Sequence, residues 1–196
     1  NSLVYNGLRP TEFAPVAVEA DAADFIYVGM MRDLKGPDVF IEAFAKVEAR
    51  TGIKVTAVMV GDGDDLPRYR VQVTGLGLGK RVRFLRPMPA HEAFALGRTL
   101  VVPSRAEAMP YIVLETLAAG KTMVATAVGG IPEIFGPTSP ALVHPDASEL
   151  AEKMSLALTD PVLFKSYMPS NDELKARFGA DVMAANIELA YRSALA

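Results

Sequence analysis

Short apolar runs alternate along the chain with longer stretches of helical periodicity, and this alternation predicts the fold before any residue has a role. Phe25-Ile26-Tyr27-Val28 is a β-branched and aromatic run stopped by Gly29, the pattern of a buried strand. Beyond Gly36-Pro37, the residues Val39, Phe40, Ala43, Phe44 and Val47 share one helical face, with Pro37 suited to the first helical position. A second strand is predicted over residues 54–60, ending at Gly61-Asp62-Gly63, and a polar helix over about 65–76. Residues 82–85 form a third strand, 89–97 a short helix and 100–102 a fourth strand that Pro103 stops. A buried helix follows over 111–119 and a fifth strand over 122–125. Gly129-Gly130-Ile131-Pro132-Glu133 opens another short helix, and 141–143 read as an edge strand. The remainder is predicted helical, with Asp146/Glu149 and Ser170/Glu173 at capping-box spacing.

Strands that are apolar throughout and separated by helices imply a parallel sheet covered on both faces. The predicted fold is therefore α/β, a single doubly wound, Rossmann-like domain. In such sheets ligands bind beyond the carboxyl ends of the strands. That directs attention to residues 29–36, 61–65, 86–89, 104–111 and 126–133.

Composition narrows the chemistry. The 196 residues are 51% hydrophobic and 22% charged, enough to bury one self-sufficient core. Cysteine is absent, which excludes a disulfide scaffold, a thiolate-bound zinc and a thiol nucleophile. Only His91 and His144 are available for a His-based metal cluster or a Ser–His–Asp triad. A net charge of −3 points to neither nucleic acid nor a polybasic membrane anchor. No apolar run approaches the ~20 residues of a membrane-spanning helix, and residues 1–7 lack the pattern of a signal peptide. A cytoplasmic domain working without metal is expected.

Two features can carry chemistry. The loop over 29–36 offers Arg32 and Lys35 beside a helix start, where free backbone N–H groups and the helix dipole favour an anion; the alternative is a pair of solvated cations. The second feature is Glu107 and Glu115, with seven residues between them. Glu115 is the odd residue of an apolar helix and calls for a partner, either a Lys or Arg, solvent or a ligand. A carboxylate at a helix mouth and another a turn inside, ~8–12 Å apart along the axis, could span a diphosphate with a hydroxylated ring at each end. A retaining hydrolase would need its pair at ~5 Å.

These residues bear a family resemblance. Tyr27-Val28-Gly29 with Lys35-Gly36, then Val60-Gly61-Asp62-Gly63, Arg83-Phe84-Leu85, Pro103-Ser104-Arg105-Ala106-Glu107, Ala119-Gly120 and Gly129-Gly130-Ile131-Pro132-Glu133 occur in one order. The chain, from about Tyr5 to at least Pro145, resembles the C-terminal, donor-binding domain of a GT-B-type retaining glycosyltransferase of the group 1 family. Within it, the sequence is most similar to bacterial transferases of exopolysaccharide or lipopolysaccharide assembly. The resemblance implies a nucleotide-diphospho-sugar donor, a glycan or lipid-linked acceptor held by a second domain, and no divalent metal. Glu107 would be the catalytic carboxylate at the donor sugar, Lys35 would hold the diphosphate, and Glu115 the ribose hydroxyls. Gly29, Gly61, Met109, Pro110, Tyr111 and Ile112 would line the sugar and phosphates, and Leu85, Arg86, Met88 and Pro89 the base. Met30 departs from the Arg usual after the first-loop Gly, leaving Arg32 as the nearby guanidinium, and Pro110 replaces a frequent Gly and removes an N–H donor.

The domain layout implied is a linker remnant over 1–15, the nucleotide-sugar domain over 16–178, and a final helix over 179–196 packing toward the other domain. Any peripheral membrane contact would come through that domain, and the chain alone would bind nucleotide but transfer little. Two rival readings remain at this point, a sugar-nucleotide epimerase and a non-catalytic binding module. His91 and His144 read as structural or surface residues, the methionines as core filler, and Arg81 and Arg83, though not Arg86, as a solvated strand end.

Overall fold

A computed structural model describes residues 4–195 of the chain. Six strands, β1 (Ala23–Val28), β2 (Ala57–Val60), β3 (Val82–Leu85), β4 (Gly97–Val102), β5 (Thr122–Thr126) and β6 (Leu142–Val143), form one sheet in the order β3-β2-β1-β4-β5-β6. Every pairing is parallel. The chain starts at the centre, winds out to β3, then returns past β1 to build the other half. The strand order therefore reverses between β1 and β4, where Phe25 pairs with Thr99 and Ile26 with Leu100. Such a reversal parts the connecting loops and opens a crevice beyond the strand ends.

Among the described residues the sheet is joined by nine α-helices, α1 (Pro37–Thr51), α2 (Leu66–Gly75), α3 (Ala90–Ala95), α4 (Tyr111–Ala118), α5 (Ile131–Phe135), α6 (Ala147–Thr159), α7 (Pro161–Lys165), α8 (Asn171–Phe178) and α9 (Ala180–Leu195), and by two short 3-10 turns, Pro10–Phe13 and Asp33–Lys35. Side chains alternate across the pleat of β1 and so feed two cores. Phe25 and Tyr27 pack with Phe40 and Phe44 of α1, Tyr69 of α2 and Leu150 of α6. Ile26 faces the opposite layer with Phe94 of α3, Val113, Leu114 and Leu117 of α4, and Phe178 of α8. No helix among the described residues is long and apolar enough to cross a membrane.

Local differences from the sequence reading have identifiable causes. The second strand starts at Ala57 rather than residue 54, because the Thr56 amide donates to the Asp24 carboxylate at 2.8 Å instead of joining a ladder. Ser170 and Glu173 close a full capping box on α8. Asp146 caps α6, accepting from Ser148 and Glu149 amides, but Glu149 returns its own side chain to the His144 amide at 3.0 Å. That pair is half a capping box. Arg81 is not simply solvated, since it pairs with Glu48 at 2.7 Å and lies over the Phe44 ring.

Residues before β1 fold back onto the domain. The Leu8 amide donates to the Phe178 carbonyl and its own carbonyl accepts from the Ala180 amide, each at 2.8 Å, and Tyr5 meets Phe178 edge-on. Residues 1–3 of the expected linker and Ala196 of the expected last helix lie outside the described residues. Helix α9 buries none of its described side chains, leaving Leu189, Tyr191 and Leu195 exposed.

At the pole opposite the crevice, Lys121 is 5% exposed and donates to the Gly97 carbonyl at 2.6 Å. Burial, with Lys165 and Arg98 nearby, lowers its pKa from 10.5 to about 8. Between those values the unfolded chain binds more protons than the folded one, so stability rises with pH across the window. Denaturant unfolding at pH 7.5 and 9.5 is expected to show this gain, about 1–2 kcal/mol from the one group. Lys121→Met should flatten it by that amount.

Candidate functional site

The crevice at the β1–β4 reversal is a cleft of about 310 Å³. Its floor is the ends of the two strands, and its walls are the loop after β1 and the loop from β4 into α4. The Tyr27 hydroxyl, buried beneath, donates to the Met30 carbonyl at 2.7 Å and so fixes the first loop from below. Burial pushes that phenol far above its ordinary pKa, keeping it a donor. Lys35 reaches across the cleft, its Nζ 2.7 Å from both carboxylate oxygens of Glu107. The buried Ser104 hydroxyl also donates to Glu107 Oε1 at 2.7 Å. With its side chain only 7% exposed, this carboxylate needs such partners, and Lys35 and Ser104 supply them.

The Glu107 loop is supported from behind by the predicted Gly-Gly-Ile-Pro-Glu motif. Gly129 has φ +54°, and a Cβ there would lie 1.7 Å from the Glu107 carbonyl oxygen. The Gly130 amide donates to the Ala108 carbonyl at 2.7 Å. The motif therefore acts through backbone contact with the catalytic-candidate loop, a role that the sequence marked only by its paired glycines. On the other side, Asn6 Nδ2 donates to the Met109 carbonyl at 3.3 Å. Helix α4 then starts at Tyr111 with Pro110 before it and no side-chain cap. The Val113 amide donates to the Pro110 carbonyl at 3.1 Å, and those of Tyr111 and Ile112 are left for an anion in the cleft.

Glu115 faces a second, larger cleft of about 570 Å³, shared with Pro89, His91, Arg9 and Glu12. The two carboxylates thus serve adjacent clefts separated by the start of α4. No side-chain hydrogen bond or ion pair holds Glu115 among the described residues. Burial first, and then the nearby Glu12 carboxylate, raise its pKa above the usual glutamate range. The Lys or Arg partner allowed by the sequence is not what the structure supplies. Arg9 instead binds Glu12, through both its amide at 2.7 Å and its Nε at 3.2 Å.

The structure gathers Gly29, Lys35, Glu107, Pro110, Tyr111 and Ile112 at the first cleft, and Pro89 and Glu115 at the second. Arg32 and Arg86 are exposed and line neither cleft. Leu85 and Met88 are half-buried against the α3–α4 layer, Met109 is half-buried, and the Gly61 amide donates to the Leu85 carbonyl at 3.1 Å. His144 is exposed and pairs with Glu149, whereas His91, exposed as expected, also borders the Glu115 cleft. Sequence reasoning assigned nothing to Tyr27, Ser104, Arg105 or Glu12. Ser104 and Arg105 stood inside the quoted Pro-Ser-Arg-Ala-Glu segment, so position next to Glu107 was a usable signal.

Comparison with known proteins agrees with this architecture. A D-inositol 3-phosphate glycosyltransferase of Corynebacterium efficiens is 30% identical over 167 residues, covering 80% of this chain and 37% of the relative. Among solved structures, sucrose-phosphate synthase from Thermosynechococcus elongatus superposes with a TM-score of 0.82 at 27% identity, covering 99% of this chain and 52% of that one. The Anabaena protein HepE, solved in complex with UDP-glucose, shares the fold at a TM-score of 0.80 and 22% identity, covering 100% of this chain and 57% of its own. The chain thus spans about half the length of these relatives, or less. The family described as glycosyl transferases group 1 matches residues 9–178, and the chain belongs to it.

Proposed function

We propose that the chain is the donor-binding domain of a retaining glycosyltransferase. The whole protein would move a sugar from a nucleotide-diphospho-sugar to a hydroxyl of a glycan or lipid-linked acceptor, in exopolysaccharide or lipopolysaccharide assembly. The observation that carries this reading is Lys35, Glu107 and the uncapped start of α4 around one cleft at the strand reversal. A cation and free N–H groups suit a diphosphate, and they stabilise the negative charge that grows on it as the bond to the sugar breaks. Glu107, held by Ser104, accepts hydrogen bonds from the sugar hydroxyls beside the reacting carbon. Arg32 lies on the same loop but outside the cleft, so Lys35 is the cation of the phosphate side. This reading includes no resident metal.

The nucleoside extends into the second cleft. Glu115 has no internal partner, so its acceptor capacity remains for the ribose hydroxyls, while the backbone over 85–89 lines the base. Sequence outside this chain holds the acceptor, and any membrane contact of the cytoplasmic enzyme is made there. The related D-inositol 3-phosphate glycosyltransferase and the UDP-glucose complex of HepE support a sugar-nucleotide donor.

A thermal-shift screen of UDP, GDP and ADP with their sugars tests the assignment. One nucleotide is expected to raise the melting temperature, with about 2.7 kcal/mol of stabilisation at a hundredfold excess over its Kd. Glu115→Ala should weaken the nucleoside diphosphate by about tenfold to a hundredfold, the worth of hydrogen bonds to a charged group. Glu107→Ala should instead erase the preference for nucleotide sugar over nucleotide. No response to any of the six ligands would overturn the reading.

The acid limb of binding provides a separate check. Only ionised Glu115 accepts two hydroxyls, so affinity should fall as pH drops through its raised pKa. Glu12→Gln removes the neighbouring carboxylate and should move that fall to lower pH. Calorimetry on the two proteins across the same pH range reads the difference.

A further inference from the structure

We infer that Arg105 is a positioning residue that sets the place of Lys35 opposite Glu107. Lys35 ends a single three-residue 3-10 turn, Asp33–Lys35, which is too short to hold a position by itself. Arg105 grips that turn from the neighbouring loop. Its amide donates to the Leu34 carbonyl at 2.9 Å. Its Nη1 donates to the Asp33 carbonyl at 2.6 Å and to Asp38 Oδ1 at 2.9 Å, and its Nη2 donates to Asp38 Oδ2 at 2.6 Å.

These bonds bracket Lys35 in sequence, two residues before it, one before and three after. The loops also touch through backbone, since Gly36 has φ +68° and a Cβ there would lie 2.1 Å from the Pro103 carbonyl oxygen. Arg105 itself lies two residues ahead of Glu107. One side chain thereby ties the loop bearing the cation to the loop bearing the carboxylate.

The clasp is built to stay ionised. Burial raises the Asp38 pKa, but the Arg105 hydrogen bonds outweigh it and leave the carboxyl below its usual range. Hydrogen bonding to Asp38 in turn raises the Arg105 pKa. A two-point fork of this kind fixes direction as well as distance, which a lysine cannot do. Arg105 lines neither cleft, so it acts through Lys35. The consequence for a diphosphate rests on the donor-binding reading above; the placing of Lys35 does not.

Two measurements on this chain separate those statements. The ammonium resonance of Lys35, assigned through Lys35→Arg, is followed by ¹⁵N NMR. It should be slowly exchanging in the original protein, lost in Arg105→Ala and in the milder Asp38→Asn, and kept in Arg192→Ala, which breaks an exposed pair elsewhere. Calorimetry with UDP, GDP and ADP should show about tenfold weaker binding of the preferred nucleotide in Arg105→Ala. Combining it with Asp38→Asn should add nothing, because both remove one interaction. A Lys35 signal unchanged in Arg105→Ala and Asp38→Asn overturns the inference, and so do additive losses of affinity. If the original protein binds none of the three nucleotides, the donor reading fails and the Lys35 signal alone decides the clasp.

Discussion

The reversal of strand order between β1 and β4 is the constraint on which the rest of the structure depends. Parallel pairing forces both strands to end at the same edge of the sheet, and their following loops must then diverge to opposite halves. Residues 29–36 and 103–110 are therefore brought side by side although some seventy positions separate them along the chain. The Lys35–Glu107 pair and the Arg105–Asp38 pair are both bridges across that same seam. Neither could form on a sheet wound in a single direction. The buried aromatic layer of Phe25, Tyr27, Phe40 and Phe44 supports one side of the seam, and the Gly129 contact with the Glu107 carbonyl supports the other.

Two glutamates of the same segment meet different electrostatic fates. Glu107 accepts three short hydrogen bonds from Lys35 and Ser104. Glu115 has no internal donor among the described residues, and its neighbour Glu12 is of like sign. A carboxylate left in that condition is costly to ionise, and the cost falls when hydroxyl donors enter the cleft. The first carboxylate finds its donors within the fold. The second finds none among the described residues.

The sheet and its order of helices were legible because buried parallel strands and amphipathic helices leave different periods in the sequence. Phe25 to Val28 and the face from Val39 to Val47 appear in the structure as read. The capping oxygen of Asp146 was legible for the same local reason, whereas the destination of the Glu149 side chain was not, because His144 competes for it through tertiary geometry. At the site, Lys35 and Glu107 could be named singly but their contact could not, since a bond between residues 72 apart in sequence has no local signature. The same holds for Arg105, whose three acceptors lie on the turn before α1 and in the first turn of α1. Glu12 was missed because the segment before β1 looked like a connector, yet Leu8 and Val16 bind it firmly to α8 and to the end of α4.

That docking gives the segment before β1 a part in both clefts. Asn6 holds the Met109 carbonyl at the edge of the first, while Arg9 and Glu12 form a wall of the second. Both contacts lie within a few residues of Leu8, which is buried and hydrogen-bonded to the α8–α9 junction on each side of its peptide unit. Helix α9 leaves from the same junction, where Leu8 bridges to Gly179, with its apolar residues uncovered. The sheet is packed on both faces by buried side chains, and the segment before β1 joins those layers to the rims of both clefts.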